Sequence, residues 1–210
     1  MNDLGRAVRW TVEGWRQWDW QLVNAVESQA PRRPDVGSIP LDRPVTVRTA
    51  LTDAGAIEPP YHRHASRTSE WIENRHWIYR CDLRRLRDTE ASTHGVGIVF
   101  ECLDHAGLIS LDDEVVKRFD SAFVPVTIHI SAERLLRTTE LSVTFDEVPD
   151  DLGQISRTSL IEALKPRFTY GWDWTPRTVQ VGIAGRVRIA VDDTTEAVEI
   201  VEPTSDVDVS

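Results

Sequence analysis

The sequence predicts an all-β fold built around one core. Short apolar runs, either alternating or unbroken, recur along it, polar or Gly/Pro turns bound them, and helical periodicity is weak almost throughout. At 210 residues, 40 % hydrophobic and 28 % charged, the chain lies in the globular range and is long enough for one sandwich-sized core. The expected organisation is a single β-sandwich domain over residues 1–201, followed by a polar, acidic tail over residues 202–210.

In chain order, Val8, Trp10 and Val12 alternate with Arg9, Thr11 and Glu13, the pattern of a strand with one buried face. Gln29 to Pro44 carries four prolines and no period, which predicts a surface loop. Val47 to Ala54 reads as a short helix, with Gly55 where a left-handed cap is favoured. Trp77, Tyr79, Cys81 and Leu83 mark a second alternating strand. Val96 to Leu103 is almost wholly apolar, which predicts a strand covered on both faces. Leu108 to Leu111, Val124 to Ile130, Leu141 to Phe145, Val179 to Ile183 and Val187 to Val191 bring the total to about eight strands. A second short helix is expected at Ser159 to Leu164, ahead of Pro166.

Composition narrows the function classes. With 34 acidic against 24 basic residues the net charge is −10, and the arginines are scattered, so the concentrated basic surface that nucleic acid requires is missing. A neutral ligand fits better. No run approaches the roughly 18 apolar residues of a membrane helix. The first residues, Met1-Asn2-Asp3-Leu4-Gly5-Arg6, lack the basic and apolar regions of a signal peptide, so a cytoplasmic location away from membranes is expected. Cys81 and Cys102 form neither a disulfide framework nor a zinc motif and are expected to be buried and inert. His62 and His64 have the i, i+2 spacing of metal ligands but no third partner, and the remaining histidines are isolated. With no glycine-rich phosphate loop and no strand–Ser-turn–helix signature, no catalytic residue, metal site or cofactor is assigned.

Tryptophan is the unusual component. The eight residues fall into three groups, Trp10/Trp15/Trp18/Trp20, Trp71/Trp77 and Trp172/Trp174, and two of these groups interleave an aspartate: Trp18-Asp19-Trp20 and Trp172-Asp173-Trp174. Sugars offer flat CH faces that stack on aromatic rings and hydroxyls that donate to carboxylates, so Trp beside Asp suits a pyranose. Core or rim packing is the more usual role of tryptophan in a β-sandwich on composition, and in a strand Trp172 and Trp174 would share one face with Asp173 opposite. Asp173 has a structural alternative too, accepting backbone N–H groups or pairing with Arg177 or Arg167.

The run Lys165-Pro166-Arg167-Phe168-Thr169-Tyr170-Gly171-Trp172-Asp173-Trp174-Thr175-Pro176-Arg177, followed by Val181-Gly182-Ile183, resembles the Gly-Trp-Asp-Trp-Gly-Pro-Arg motif of family 2 β-mannosidases. Upstream, Ala54-Gly55-Ala56-Ile57-Glu58-Pro59-Pro60-Tyr61, Ser69-Glu70-Trp71-Ile72-Glu73 and Trp77-Ile78-Tyr79-Arg80 resemble the same family in the same order, so the resemblance spans roughly residues 40–190. It implies a jelly-roll sandwich of the galactose-binding-like type, packed in the family beside an immunoglobulin-like domain and a (β/α)₈ barrel with two catalytic glutamates. Such a barrel takes about 250 residues, more than this chain holds, and no carboxylate pair here matches those glutamates.

What the resemblance carries over is a sugar contact: Asp173 reaching into the terminal mannose subsite, with Trp172 and Trp174 beside it. The partners it implies are a mannose-type sugar or β-mannoside and the family's other domains. Departures exist as well: Arg43-Pro44-Val45-Thr46-Val47 lacks the family's glycine, Asp112-Asp113-Glu114 replaces its Asn-Gly hairpin, Thr175 stands for a glycine and Ala184-Gly185 for a tryptophan. The expected function is thus a carbohydrate-binding domain of a β-mannosidase-like enzyme. The alternative is a structural or partner-docking sandwich with a decayed sugar site. Exposure separates them, since Trp172 and Asp173 buried among protein groups would remove the main support for binding.

Overall fold

The computed structural model describes residues 4–15, 36–149, 152 and 162–191. Eleven strands occur among them. They are β1 (Arg9–Trp15), β2 (Ile39–Leu41), β3 (His76–Asp82), β4 (Val96–Phe100), β5 (Leu103–Asp104), β6 (Gly107–Leu111), β7 (Glu114–Phe119), β8 (Val126–Ile130), β9 (Glu140–Phe145), β10 (Gly182–Ile183) and β11 (Val187–Val191). One six-stranded antiparallel sheet has the order β2-β1-β3-β9-β6-β7; opposite it lie a three-stranded sheet, β11-β4-β8, and the two-stranded pair β10-β5. The expected all-β sandwich is borne out.

Register explains the core. Because side chains alternate faces, pairing Val12 with Tyr79, Tyr79 with Val143 and Val143 with Ile109 lines four buried residues across the large sheet. A second buried row runs Trp10, Cys81, Leu141, Leu111. In a third, Gly14 pairs with Trp77, Trp77 with Phe145 and Phe145 with Gly107, so the two large rings lie between residues without side chains. Across the sandwich Trp10 meets Phe100 of β4 edge to face, with ring centroids 6.4 Å apart, and Phe145 takes Tyr79 and Phe119 on its edges at 5.5 and 5.3 Å.

The helix expected near residue 47 is present as α1 (Val47–Asp53), with Thr46 capping the Thr49 N–H, Ala54 at the C-cap and Gly55 left-handed at φ 69°. Three helices of four to six residues escaped the sequence reading, α2 (Ala65–Thr68), α3 (Ala91–His94) and α4 (Ala132–Arg137), because such short turns carry no readable period. Of the second predicted helix only Glu162 to Leu164 lie within the described residues, and they are not helical. Trp18, Asp19, Trp20 and the tail beyond residue 201 lie outside the described residues.

Three strand expectations need correction. The run from Val96 is two strands, and β4 buries one face only: Val96, Ile98 and Phe100 are inaccessible, while Gly97 and Val99 are half-exposed. Cys102 breaks the run by accepting two backbone N–H groups, from Ala184 and Gly185, and its thiol is half-buried rather than buried. Strands β2 and β7 were missed, the first inside a proline-rich segment and the second an exposed, charged edge strand with five of six residues accessible. The β6–β7 turn works without Asn-Gly: Asp112 adopts φ 50°, and its carboxylate accepts the N–H groups of Thr139 and Glu140, each at 3.0 Å.

The third correction bears on the site. Only Gly182 and Ile183 of the predicted strand at Val179 to Ile183 pair as strand. The three preceding carbonyls are taken by other donors: Val179 O by Arg48 Nη2 at 3.4 Å, Gln180 O by Lys165 Nζ at 2.6 Å and Val181 O by the first helical N–H of α1, Val47, at 3.0 Å. Lys165 also pairs with Asp104, both side chains nearly inaccessible. Burial pushes the Asp104 carboxyl up and the Lys165 ammonium down, while their attraction opposes both shifts. Next in the chain, Gly182 at φ 115° lies so close to Tyr79 that a Cβ there would stand 2.2 Å from the phenolic oxygen, which itself donates to Val45 O at 2.7 Å.

Two predictions follow from this packing. Lys165→Met, stranding the Asp104 carboxylate, is expected to cost about 3–5 kcal/mol in denaturant unfolding, and Lys165→Met with Asp104→Leu to recover most of that loss. Gly182→Ala is expected to cost about 2–4 kcal/mol from overlap and backbone strain combined. Tyr79→Phe should relieve part of the overlap, so the two changes should cost less together than their separate losses added.

Candidate functional site

The Trp-Asp-Trp segment is a turn, not the strand in which Trp172 and Trp174 would share a face. A 3-10 turn over Phe168–Tyr170 delivers the chain to Gly171, which takes φ 115° and ψ 133°, a conformation that glycine reaches without steric cost. Trp172 and Thr175 then exchange backbone hydrogen bonds, Trp172 N–H to Thr175 O at 3.0 Å and Thr175 N–H to Trp172 O at 3.3 Å. Asp173 and Trp174 therefore occupy the tip. Below it, the Thr178 N–H donates to Thr169 O at 2.8 Å and closes the two legs.

The tip faces solvent. Trp172 is 46 % and Trp174 70 % exposed, and Asp173 is exposed between them. Trp174 stacks on Phe168, centroids 5.9 Å apart and planes at 28°, so the outermost indole rests on a second exposed ring. The structural alternatives for Asp173 are not realised among the described residues. Arg177 is turned to Glu73, Arg167 Nε donates to Leu152 O at 3.0 Å, and Asp173 has no hydrogen bond or ion pair to another described residue. The turn thus presents a carboxylate with open acceptor sites, flanked by two indoles.

Rigidity comes from a charged cluster beneath. Glu73 lies near the end of a 3-10 turn (Glu70–Asn74), with its side chain only 3 % exposed. One of its oxygens accepts from Arg177 Nη2, and the other faces Arg48 Nη2 at 3.7 Å. Arg48, buried on α1, also donates to Ser69 Oγ at 2.5 Å. Burial pushes the Glu73 carboxyl above the usual range against the pull of Arg177 and Arg48. The sequence reading missed this cluster, since an arginine in a helix and a glutamate some 25 residues on carry no shared pattern.

The other candidates do not converge. The His62 ring lies 3.6 Å from the Glu58 carboxylate, largely in solvent, and among the described residues no three His, Cys, Asp or Glu side chains gather as a metal set. Cys81 is buried and Cys102 donates its thiol to Ala122 O at 3.0 Å; burial pushes both thiols up, away from the reactive thiolate. A cavity of about 250 Å³ beside β7 and β8, lined by Lys117, Asp120, Val124 and Thr127 among others, holds one carboxylate and no indole. No helix of the described residues is long and apolar enough to cross a membrane.

Comparison with known proteins agrees with the fold. The family described as glycosyl hydrolase 2 galactose-binding domain-like matches residues 18–185. β-Mannosidase B of Emericella nidulans is 26 % identical over 165 residues, covering 70 % of this chain and 19 % of that protein. β-Mannosidase A of Aspergillus terreus is 26 % identical over 164 residues, covering 69 % and 17 %. In structure, the β-D-mannosidase of Dictyoglomus thermophilum superposes at a TM-score of 0.66 with 19 % identity, over 91 % of this chain and 23 % of that one. The exo-chitosanase of Amycolatopsis orientalis does so at 0.56 with 19 % identity, over 87 % and 20 %, and both likenesses speak to the fold. The chain spans about a fifth of the length of the curated relatives it matches. By the extent of the family match, the chain belongs to the glycosyl hydrolase 2 galactose-binding domain-like family.

Proposed function

We propose that this chain is the sugar-binding domain of a β-mannosidase-like glycoside hydrolase and that the Trp172–Trp174 turn supplies one wall of the terminal mannose subsite. The observation that carries the reading is the free Asp173 carboxylate, exposed between two indoles on a turn braced by buried charges. An ionised carboxylate accepts two sugar hydroxyls at once, and each such charged bond contributes roughly 1.5–3 kcal/mol. Trp172 and Trp174 offer the apolar faces on which a pyranose lies. Binding at a point remote from the scissile bond would orient the sugar for chemistry carried out by carboxylates on another domain.

The rival, a structural sandwich with a decayed site, predicts that these side chains turn inward or pair with protein groups; among the described residues the three stay exposed, and the Phe168 stack is the contact their side chains make. Calorimetric or NMR titration with mannose and β-1,4-mannobiose tests the choice. Saturable binding that falls at least tenfold in Asp173→Ala, with the melting temperature unchanged, is the expected result. Binding that survives Asp173→Ala intact would overturn the assignment of Asp173. For the parent activity, the chain mixed with the remaining domains of a β-mannosidase is expected to restore hydrolysis of a β-mannoside, and Asp173→Ala to restore much less; an equal rate from both would count against a role in the subsite.

A further inference from the structure

Arg177 joins the two legs of the Trp172–Trp174 turn to the body of the protein, beside the buried Tyr170 that packs on the core. Arg177 lies two residues beyond Thr175, which closes the turn, and its face covers the ring of Tyr170, the residue before Gly171, at 5.0 Å. It therefore touches the incoming leg with its face while belonging to the outgoing leg. Its hydrogen-bonding edge goes to Glu73.

Glu73 is itself fixed from several sides. Its carbonyl accepts the Val148 N–H at 3.2 Å, the preceding Ile72 carbonyl accepts Trp77 Nε1 at 2.9 Å, and Arg75 two residues on stacks over Trp71 at 4.2 Å. Trp77 in turn is fully buried in the large sheet, where it pairs with Gly14 and Phe145. A continuous chain of contacts thus runs from the core through Glu73 and Arg177 to both legs of the turn.

We infer that Glu73 is a positioning residue for the turn, setting through Arg177 the direction in which Asp173 and the two indoles are presented. The purpose of that positioning rests on the sugar-binding reading; the positioning itself does not. The charged groups that face Glu73 are Arg177, Arg48 and Glu70, with Lys165 also near enough to feel its charge. Attraction to the arginines holds the carboxylate ionised, burial and Glu70 oppose it, and burial wins, so the carboxyl protonates at a higher pH than an ordinary exposed glutamate. On acidification the Arg177 contact is expected to loosen while the fold persists.

The test is the NMR signal of the Trp172 and Trp174 indole N–H groups, assigned with Trp172→Phe and Trp174→Phe, in wild type, Glu73→Gln, Arg177→Lys and the neighbouring control Glu70→Gln. Glu73→Gln keeps the shape and removes the charge; Arg177→Lys keeps the charge and removes the planar fork and the stacking on Tyr170. Both are expected to shift the two indole signals and to weaken mannose binding on the order of tenfold. The control should leave them in place. The wild-type indole signals should show, as the pH is lowered, a step that is missing from the titration of Glu73→Gln, in which only the Asp173 carboxylate beside them remains to protonate.

A merely structural Glu73 would lower the melting temperature without moving the indoles of the folded protein. Indoles unmoved in Arg177→Lys, or in Glu73→Gln where it folds, would overturn the inference. Should Glu73→Gln fail to fold, Arg177→Lys, at a side chain only partly buried, decides alone. Shifted indoles in a protein whose wild type shows no saturable mannose binding would uphold the positioning and sink the sugar reading.

Discussion

Everything the turn can do depends on charges held where water is scarce. Lys165, Arg48 and Glu73 are each all but inaccessible, and each takes part in fixing the segment that carries Asp173. Removing such ions from water costs several kcal/mol apiece, and attraction within the cluster offsets that cost only when hydrogen bonds complete it. Here they do so in part: Lys165 has a carboxylate and a carbonyl, and Arg48 a hydroxyl and a carbonyl, while Arg48 Nε and Glu73 Oε1 have no hydrogen bond among the described residues. An apolar substitute would hold the sheets together as well, but it would have nothing to offer the carbonyls of Val179 and Gln180. Specificity of path, more than stability, is what the buried charges contribute.

The sandwich supplies the fixed points to which these charges are tied. Rows of buried residues across the large sheet leave no freedom of register, since a slip of one residue would carry Trp10, Tyr79 and Val143 to the solvent face. Trp77, fully buried in the large sheet, reaches back to Ile72 and so fixes the 3-10 turn that ends beside Glu73. Asp104, which receives Lys165, lies on β5 opposite Gly182 of β10. Gly182 itself can sit there only because it has no side chain to meet Tyr79. Core packing and site geometry are therefore one system, joined at Trp77, Asp104 and Tyr79.

Strands with a clean alternation were legible in the sequence. The strands at Trp10, Tyr79 and Val143 and the helix at Val47 follow directly from period and cap, because burial of one face leaves that pattern in the residues. What could not be read was anything decided by partners distant in sequence. Val179 to Val181 have the composition of a strand, yet their carbonyls are claimed by a helix terminus and two cations, contacts spanning up to 134 positions. β7 pairs by backbone alone, with side chains free to be charged, so no apolar period marks it. The Trp-Asp-Trp motif was recognised as a unit, while its form as a turn, and the stacking of Trp174 on Phe168, depend on the left-handed Gly171 and on Arg177 turning away to Glu73.

The exposure that makes Asp173 available also limits what the turn can do alone. Sites for small ligands are concave and bury most of the ligand surface, and bonds to a carboxylate gain strength as water is excluded. A turn whose indoles are 46 % and 70 % exposed contributes a wall, not an enclosure, so a sugar resting on it keeps one face in solvent. Under the proposed reading the opposite wall comes from the domain that carries the catalytic carboxylates. Such a division sets a demand on the sandwich, because the two walls must register to within about half an ångström for binding to assist chemistry. A turn tied by Arg177 to a buried carboxylate, and through Trp77 to the core, meets that demand in a way that a freely hinged loop with the same Trp-Asp-Trp residues would not.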